Sequence, residues 1–219
     1  MEHWQGKWMA QIARLKGSLL KIKALFIRRK KARIGIYGPP NAGKTTLANR
    51  IVSDFTGETM GVASHVPHET RRVKKREGVT IRGNGASITL DVIDTPGLAT
   101  RIDFHDFMQM GIPEDEARHR AKEATEGVIE AIKWMDNLDG VLLVMDALED
   151  PYTQVNVTVV GNMEARHLPM LIVVNKIDLD GASVDRIKGA FPQHTVVPIS
   201  ALNGTNMELL YETIAHRFG

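Results

Sequence analysis

The sequence predicts an α/β fold built on a six-stranded, mainly parallel sheet flanked by helices. Three observations carry this. Short β-branched or apolar runs alternate with helical patterns along most of the 219 residues, as a chain of strand–helix units requires. A glycine-rich loop, Gly38-Pro-Pro-Asn-Ala-Gly-Lys-Thr45, stands between the first of these runs and the first helix. Two neighbouring runs are joined by Asn84-Gly85, a dipeptide that tolerates the positive φ angles of a tight hairpin turn. With 43% hydrophobic residues there is material for a full core.

Taken in order, residues 32–37 read as the first strand, ending where the glycine-rich loop begins, and residues 44–55 as the helix behind it. Residues 73–82 and 86–93 are the two strands of the hairpin. The runs 141–145, 170–174 and 196–199 suit strands buried on both faces, because they do not alternate apolar with polar. Helices are expected at 113–135, 152–166, 183–190 and 207–218. No repeat, linker or further domain interrupts the pattern, so one domain is expected over residues 32–219.

Residues 1–31 read as a separate basic arm. Trp8, Ile12, Leu15, Leu19, Ile22 and Phe26 step by four, three, four, three and four, the spacing of a narrow apolar stripe on an amphipathic helix. Lys and Arg stems can cover the margins of that stripe. Of the 28 Lys/Arg and 26 Asp/Glu, residues 1–33 hold ten and one, so the remainder carries 18 against 25. A basic arm on an acidic body calls for an anionic partner or for docking of the arm on the body. Lys21 and Lys23 break the apolar stretch and no small-residue cleavage site follows, which argues against a signal peptide. No run reaches the ~18 apolar residues of a membrane span. A mitochondrial transit peptide would also be basic, but this segment is poor in serine and passes straight into the first strand. The chain has no cysteine, which excludes disulfides and thiolate metal sites, and its eight histidines form no H-x-x-x-H pair, so zinc is not expected.

Four segments carry the chemistry. The loop fits G-x-x-x-x-G-K-[ST], in which Gly38, Pro39, Pro40, Asn41, Ala42, Gly43, Lys44 and Thr45, with Thr46 just beyond, turn backbone N–H groups toward phosphate at the positive end of a helix. Asp94-Thr-Pro-Gly97 follows a strand, where a carboxylate can hold a magnesium-bound water and a glycine N–H can meet the terminal phosphate. Asn175-Lys-Ile-Asp178 also follows a strand, at the carboxyl end where open α/β sheets bind ligands. A carboxylate such as Asp178 accepts two hydrogen bonds from N1–H and N2–H of guanine, a pair that adenine lacks. Ser200-Ala201 completes the order.

With these residues in this order, the chain resembles the Era-like GTPases, of the translation-factor class of P-loop GTPases, over about residues 32–218. The resemblance implies a G domain with GTP and GDP as ligands and Mg²⁺ as cofactor. Lys44 would contact the β- and γ-phosphates, Thr45 would ligate Mg²⁺, and Asp94 would hold the ion through water. Thr70, in Pro67-His-Glu-Thr-Arg71, is similar to the switch I threonine that closes over Mg²⁺; the other reading of Thr70 is a solvated loop residue. Asn175 and Asp178 would read the base, Lys176 would pack on its ring system, and the Ala201 N–H would meet the guanine oxygen.

Two departures limit what carries over. Leu98 follows Gly97 where many signalling GTPases place the glutamine that orients the attacking water, a task closed to leucine. Catalysis is then expected from elsewhere in the chain, from a monovalent cation or from a partner, with Lys44, Thr70 and Asn41 as the candidate catalytic residues. Asn41 is similar to the loop asparagine of potassium-stimulated relatives, so K⁺ is a candidate cofactor; the alternative is that Asn41 only stabilises the turn. With the sequence ending at Gly219, the RNA-binding KH domain of bacterial Era proteins is not expected, and a ribosome-assembly role is not carried over as an expectation. Phe104, Phe107, Met108 and Met110 read as core of an enlarged switch II, with a nucleotide-dependent contact surface as the other reading. The run Arg71-Arg72-Val-Lys74-Lys75-Arg76 is a solvated face or a second anion contact.

Two functional classes follow. One is a Mg²⁺-dependent GTP phosphohydrolase that acts as a molecular switch. The other is a nucleotide-gated binding module with negligible turnover, whose arm meets RNA, an anionic membrane or a protein. DNA is not among the expected partners. The expected location is cytoplasmic, with the arm allowing a peripheral membrane contact.

Overall fold

The computed structural model describes residues 31–60, 72–83, 86–99 and 102–219. The elements are β1 (Lys31–Tyr37), α1 (Lys44–Thr56), β2 (Lys74–Gly83), β3 (Ala86–Asp94), α2 (Phe104–Gln109), α3 (Glu114–Trp134), β4 (Gly140–Asp146), α4 (Gln154–Ala165), β5 (Met170–Asn175), α5 (Val184–Ala190), β6 (Val196–Pro198) and α6 (Met207–Phe218). A 3₁₀ turn, Met135–Asn137, joins α3 to β4. The six strands form one sheet in the order β2-β3-β1-β4-β5-β6. Only β2 and β3 run antiparallel, with Gly83 opposite Ala86, the register a two-residue turn imposes. The turn itself, Asn84-Gly85, lies outside the described residues, as do the arm helix expected within residues 1–30 and the switch I threonine Thr70.

Every other strand pair is parallel, as helical crossovers demand. The strands therefore share one carboxyl edge, and the loops that leave β1, β3, β4, β5 and β6 emerge along it. That edge is where the four motifs meet.

The sheet is covered on both faces. Side chains alternate between them at the period of two that a strand enforces. On one face Ile34, Ile36, Leu142 and Val144 pack with Leu47 and Ile51 of α1 and Leu210 and Ile214 of α6. On the other, Tyr37, Leu143, Met145 and Ile172 pack with Ala131 of α3, Met163 of α4 and Ile187 of α5. Tyr37 also donates its hydroxyl to the Ala131 carbonyl at 2.7 Å, which satisfies the one polar atom of a fully buried ring.

Expected boundaries differ from those observed by two residues at most, with two corrections of substance. The division of the chain at residues 31 and 32 falls one residue late: Lys31 pairs with Thr89 in β1, and its ammonium lies 3.2 Å from the buried Asp91 carboxylate. The second is α2, six residues long and capped by Asp103, whose carboxylate accepts the His105 N–H at 3.0 Å. So short a helix turns less than twice and can bury only one side. Phe107 takes the buried position, whereas Met108 and Met110, expected in the core, are 37% and 52% exposed. Phe104 lies under the Arg118 guanidinium, 4.0 Å from its ring centroid. Among the described residues, no helix is long and apolar enough to cross a membrane.

Candidate functional site

The glycine-rich loop leaves β1 at the shared edge and enters α1 at Lys44, so the unpaired N–H groups of the first helical turn point back over the loop. Gly43 precedes α1 at φ 90°, and a Cβ there would lie 2.2 Å from Asn175 Nδ2. Only glycine lets Asn175 reach across to the Ala42 carbonyl, to which Nδ2 donates at 3.0 Å. Asn41 is exposed at the loop tip with φ 58°, a left-handed conformation that asparagine tolerates, so the turn-stabilising reading has a direct basis. Pro39, Pro40 and Thr46 are half-buried around it. Lys44 is 6% exposed and donates to the Pro39 carbonyl at 2.7 Å. Burial pushes its ammonium down to about 8, against the opposing pull of the Asp94 charge.

Asp94 ends β3 fully buried, and its Oδ2 accepts the Thr45 hydroxyl at 2.8 Å. Its Oδ1 is buried and has no hydrogen-bond partner among the described residues. Burial pushes the carboxyl up, against the Thr45 hydrogen bond and the Lys44 and Lys74 charges. A buried carboxylate with one bare oxygen beside a hydroxyl is a hard-oxygen donor set, so these residues fit Mg²⁺. Beyond Asp94 the chain lies against the phosphate loop: the Leu98 N–H donates to the Gly38 carbonyl at 3.1 Å. A Cβ on Gly97 would sit 2.8 Å from Pro40 Cα, a second approach open only to glycine. The Leu98 side chain is 7% exposed and packs into the core cluster that holds Tyr37 and Ile93.

Asn175, expected to read the base, has both ends of its amide engaged within the protein: Nδ2 on the Ala42 carbonyl and Oδ1 under the Ala201 N–H at 3.0 Å. It ties three loops together, and the Ala201 N–H expected on the guanine oxygen is held by Asn175. Asp178 is exposed at the edge, and its Oδ2 accepts from Asn203 Nδ2 at 3.1 Å. Lys176 adopts φ 66°, and its ammonium pairs with Asp146 at the end of β4. Ser200 is fully buried, and its hydroxyl oxygen accepts the Asn203 N–H at 3.1 Å.

Asp146 pairs with Lys176, Asn203 with Asp178, and Arg50 with the Ala201 and Leu202 carbonyls; none of the three was singled out from the sequence. Asp146 had a signal, since it ends a strand at the same edge as Asp94. Asn203 and Arg50 had none, because a loop amide and a helical cation look alike wherever they occur.

Comparisons with known proteins bear on the family and the fold. The family model described as 50S ribosome-binding GTPase matches residues 33–176. GTPase Era of Geobacter metallireducens is 32% identical over 188 residues, covering 83% of this chain and 53% of that protein. GTPase Era of Geobacter sp. strain M21 is 31% identical over 191 residues, with the same coverage of each. The chain thus spans about half the length of the curated relatives it matches. Two solved structures share the fold at a TM-score of 0.66 and 24% identity: Aquifex aeolicus Era Y63A bound to GDP·AlF₄⁻, and Era in complex with MgGDPNP and nucleotides 1506–1542 of 16S ribosomal RNA. They cover 87% and 88% of this chain, and it covers 57% and 58% of theirs.

Proposed function

Because the chain belongs to the family described as 50S ribosome-binding GTPase, we infer that it binds GTP with Mg²⁺, hydrolyses it to GDP and phosphate, and acts as a nucleotide-dependent switch. The observation that carries this reading is Asp94: a buried carboxylate, bound on one oxygen by Thr45 and bare on the other, beside a buried lysine in a glycine-rich loop. Thr45 and Asp94, with Thr70 from switch I, would hold Mg²⁺, which when bound neutralises charge on the β- and γ-phosphate oxygens.

The remaining roles belong to the chain. Lys44 exchanges its Pro39 carbonyl for phosphate oxygens, and the N–H groups of residues 43–46 follow the β-phosphate. The Gly97 N–H would meet the γ-phosphate, a role supported by the close approach of Gly97 to the Pro40 backbone of the phosphate loop. Asp178 accepts N1–H and N2–H of guanine, with Lys176 on the ring face. Water activation is the missing part, since Leu98 is packed inward. K⁺ held by Asn41 is the cation we propose for it, with Lys44 and Thr70 as the other catalytic residues.

The excess of basic residues in the arm supports an anionic partner. RNA is bound by the longer solved Era chain, of which this chain covers 58%; here RNA, a membrane surface and a protein all rest on the arm. A cytoplasmic location is part of the same proposal.

Phosphate release from GTP tests the catalytic reading. With no glutamine at the water position, turnover should be slow, on the order of 10⁻⁴–10⁻² s⁻¹. It should rise when K⁺ replaces Na⁺, lose that stimulation in Asn41→Ser, and vanish in Lys44→Ala. Tight GTP binding without turnover in either salt would instead make the protein a nucleotide-gated binding module. Equal turnover in both salts would remove K⁺ from the account.

A further inference from the structure

Arg50 lies in the middle of α1, well clear of the phosphate loop, yet its guanidinium reaches the loop after β6. Its Nε donates to the Ala201 carbonyl at 3.1 Å and its Nη2 to the Leu202 carbonyl at 2.6 Å. Its Nη1 faces Asp54 Oδ1 at 3.9 Å, one turn further along α1. Asp54 in turn accepts the Tyr211 hydroxyl of α6 at 2.6 Å. A rigid planar fork is suited to two successive carbonyls, and a carboxylate behind it fixes its direction.

The consequence lies in the peptide group. A trans peptide points its C=O and N–H in opposite directions. Holding the Ala201 carbonyl on α1 therefore turns the Leu202 N–H away from α1. That N–H makes no hydrogen bond among the described residues, and the Leu202 side chain is 71% exposed. The neighbouring Ala201 N–H is already held by Asn175. Two groups from different elements thus pin residues 201 and 202, and one backbone donor is left directed outward.

We propose that Arg50 is a positioning residue for guanine selectivity: by clamping the Ala201 and Leu202 carbonyls onto α1 it presents the Leu202 N–H to the C6 oxygen of the base. The proposal rests on the reading that this site takes guanine. Asp178 reads the opposite part of the same edge, so the two contributions separate on analogues. Inosine diphosphate lacks the N2 amino group that Asp178 contacts but keeps the C6 oxygen. 6-Thioguanosine diphosphate keeps N1–H and N2 but replaces the oxygen with sulfur, a weak acceptor.

The experiment measures the affinities of the full chain for GDP, 6-thio-GDP and IDP, for wild type, Arg50→Met and Arg50→Lys. Wild type should prefer GDP over both analogues. Arg50→Met should lower GDP affinity about tenfold and reduce the GDP to 6-thio-GDP ratio by a similar factor, the size of one hydrogen bond. Its GDP to IDP ratio should stay at the wild-type value. Arg50→Lys, which keeps the charge beside Asp54 but cannot serve two carbonyls rigidly, should fall between; it decides the matter if the methionine variant does not fold. Parallel loss of all three nucleotides, or an unchanged 6-thio ratio in the folded variants, would overturn the clamp while leaving the guanine site standing. A wild type indifferent to all three bases would remove the guanine site and the clamp with it.

Discussion

Lys44 is a cation enclosed by its own loop, with the Pro39 carbonyl as its hydrogen-bond acceptor. Burial lowers its pKa from 10.5 to about 8 in the nucleotide-free protein. Between those values the unfolded chain binds more protons than the folded one, so this group makes stability rise with pH across that window. Below about 8 the cost of burying the charge is present in full. Wild type should therefore gain stability relative to Lys44→Met between pH 7.5 and 9.5, on the order of 2 kcal/mol, in chemical denaturation of the nucleotide-free proteins. Parallel pH profiles would show that the ammonium is not confined. At this scale the sequence was legible where chemistry dictates the residue type: Thr45 and Asp94 meet beside the buried Lys44 of the glycine-rich loop, with Asp178 exposed at the same edge. It was silent where one residue type serves several ends. Asn175 is a loop tie and Arg50 a carbonyl clamp, and both uses follow from neighbours 133 and 151 residues away in the chain.

At the level of elements, the strands were readable because apolar runs without alternation demand cover on both faces, and β4 and β5 are buried throughout. Helix α2 was not, since six residues give no period to detect. The irregularity of β2 lies between these cases. Its register shifts between Arg76 and Val79, and Gly78 within the bulge has φ 72°. The freed Gly78 N–H donates to Asp91 Oδ1 at 3.0 Å, and Lys31 and Lys75 face Oδ2 at 3.2 and 3.5 Å. Burial pushes this carboxyl up, but the Gly78 hydrogen bond and the two ammonium charges together hold it below its ordinary value. A glycine inside a strand is a visible sign of a bulge. That this one serves a buried aspartate was not visible, because the pairing depends on the register. At the functional edge two glycines act in a comparable way: Gly43 admits the Asn175 amide, and Gly97 admits the Pro40 backbone.

For the molecule as a whole, the division of charge is the largest feature that the site does not explain. If residues 1–31 serve an anionic partner, binding to RNA or to anionic vesicles should weaken steeply with salt. The apolar stripe separates the two: Ile12→Asp with Leu19→Asp should abolish vesicle binding and leave an electrostatic RNA contact only modestly weaker. If neither RNA nor vesicles bind the full chain, and removal of the arm lowers the unfolding temperature, the arm is structural and the anionic-partner proposal fails. The central claim concerns the nucleotide. We propose that Asp178 selects guanine while Lys44, Thr45 and Asp94 take its phosphates, all at or next to loops that leave one edge of the mainly parallel sheet. The most direct measurement is the affinity of wild type and Asp178→Asn for GTP, ATP and xanthosine triphosphate. Wild type should prefer GTP over the other two by about tenfold or more, and Asp178→Asn should prefer the xanthosine nucleotide, whose C2 oxygen accepts where guanine donates. Comparable wild-type affinities for GTP and ATP, or an unchanged preference for GTP in Asp178→Asn, would contradict the account.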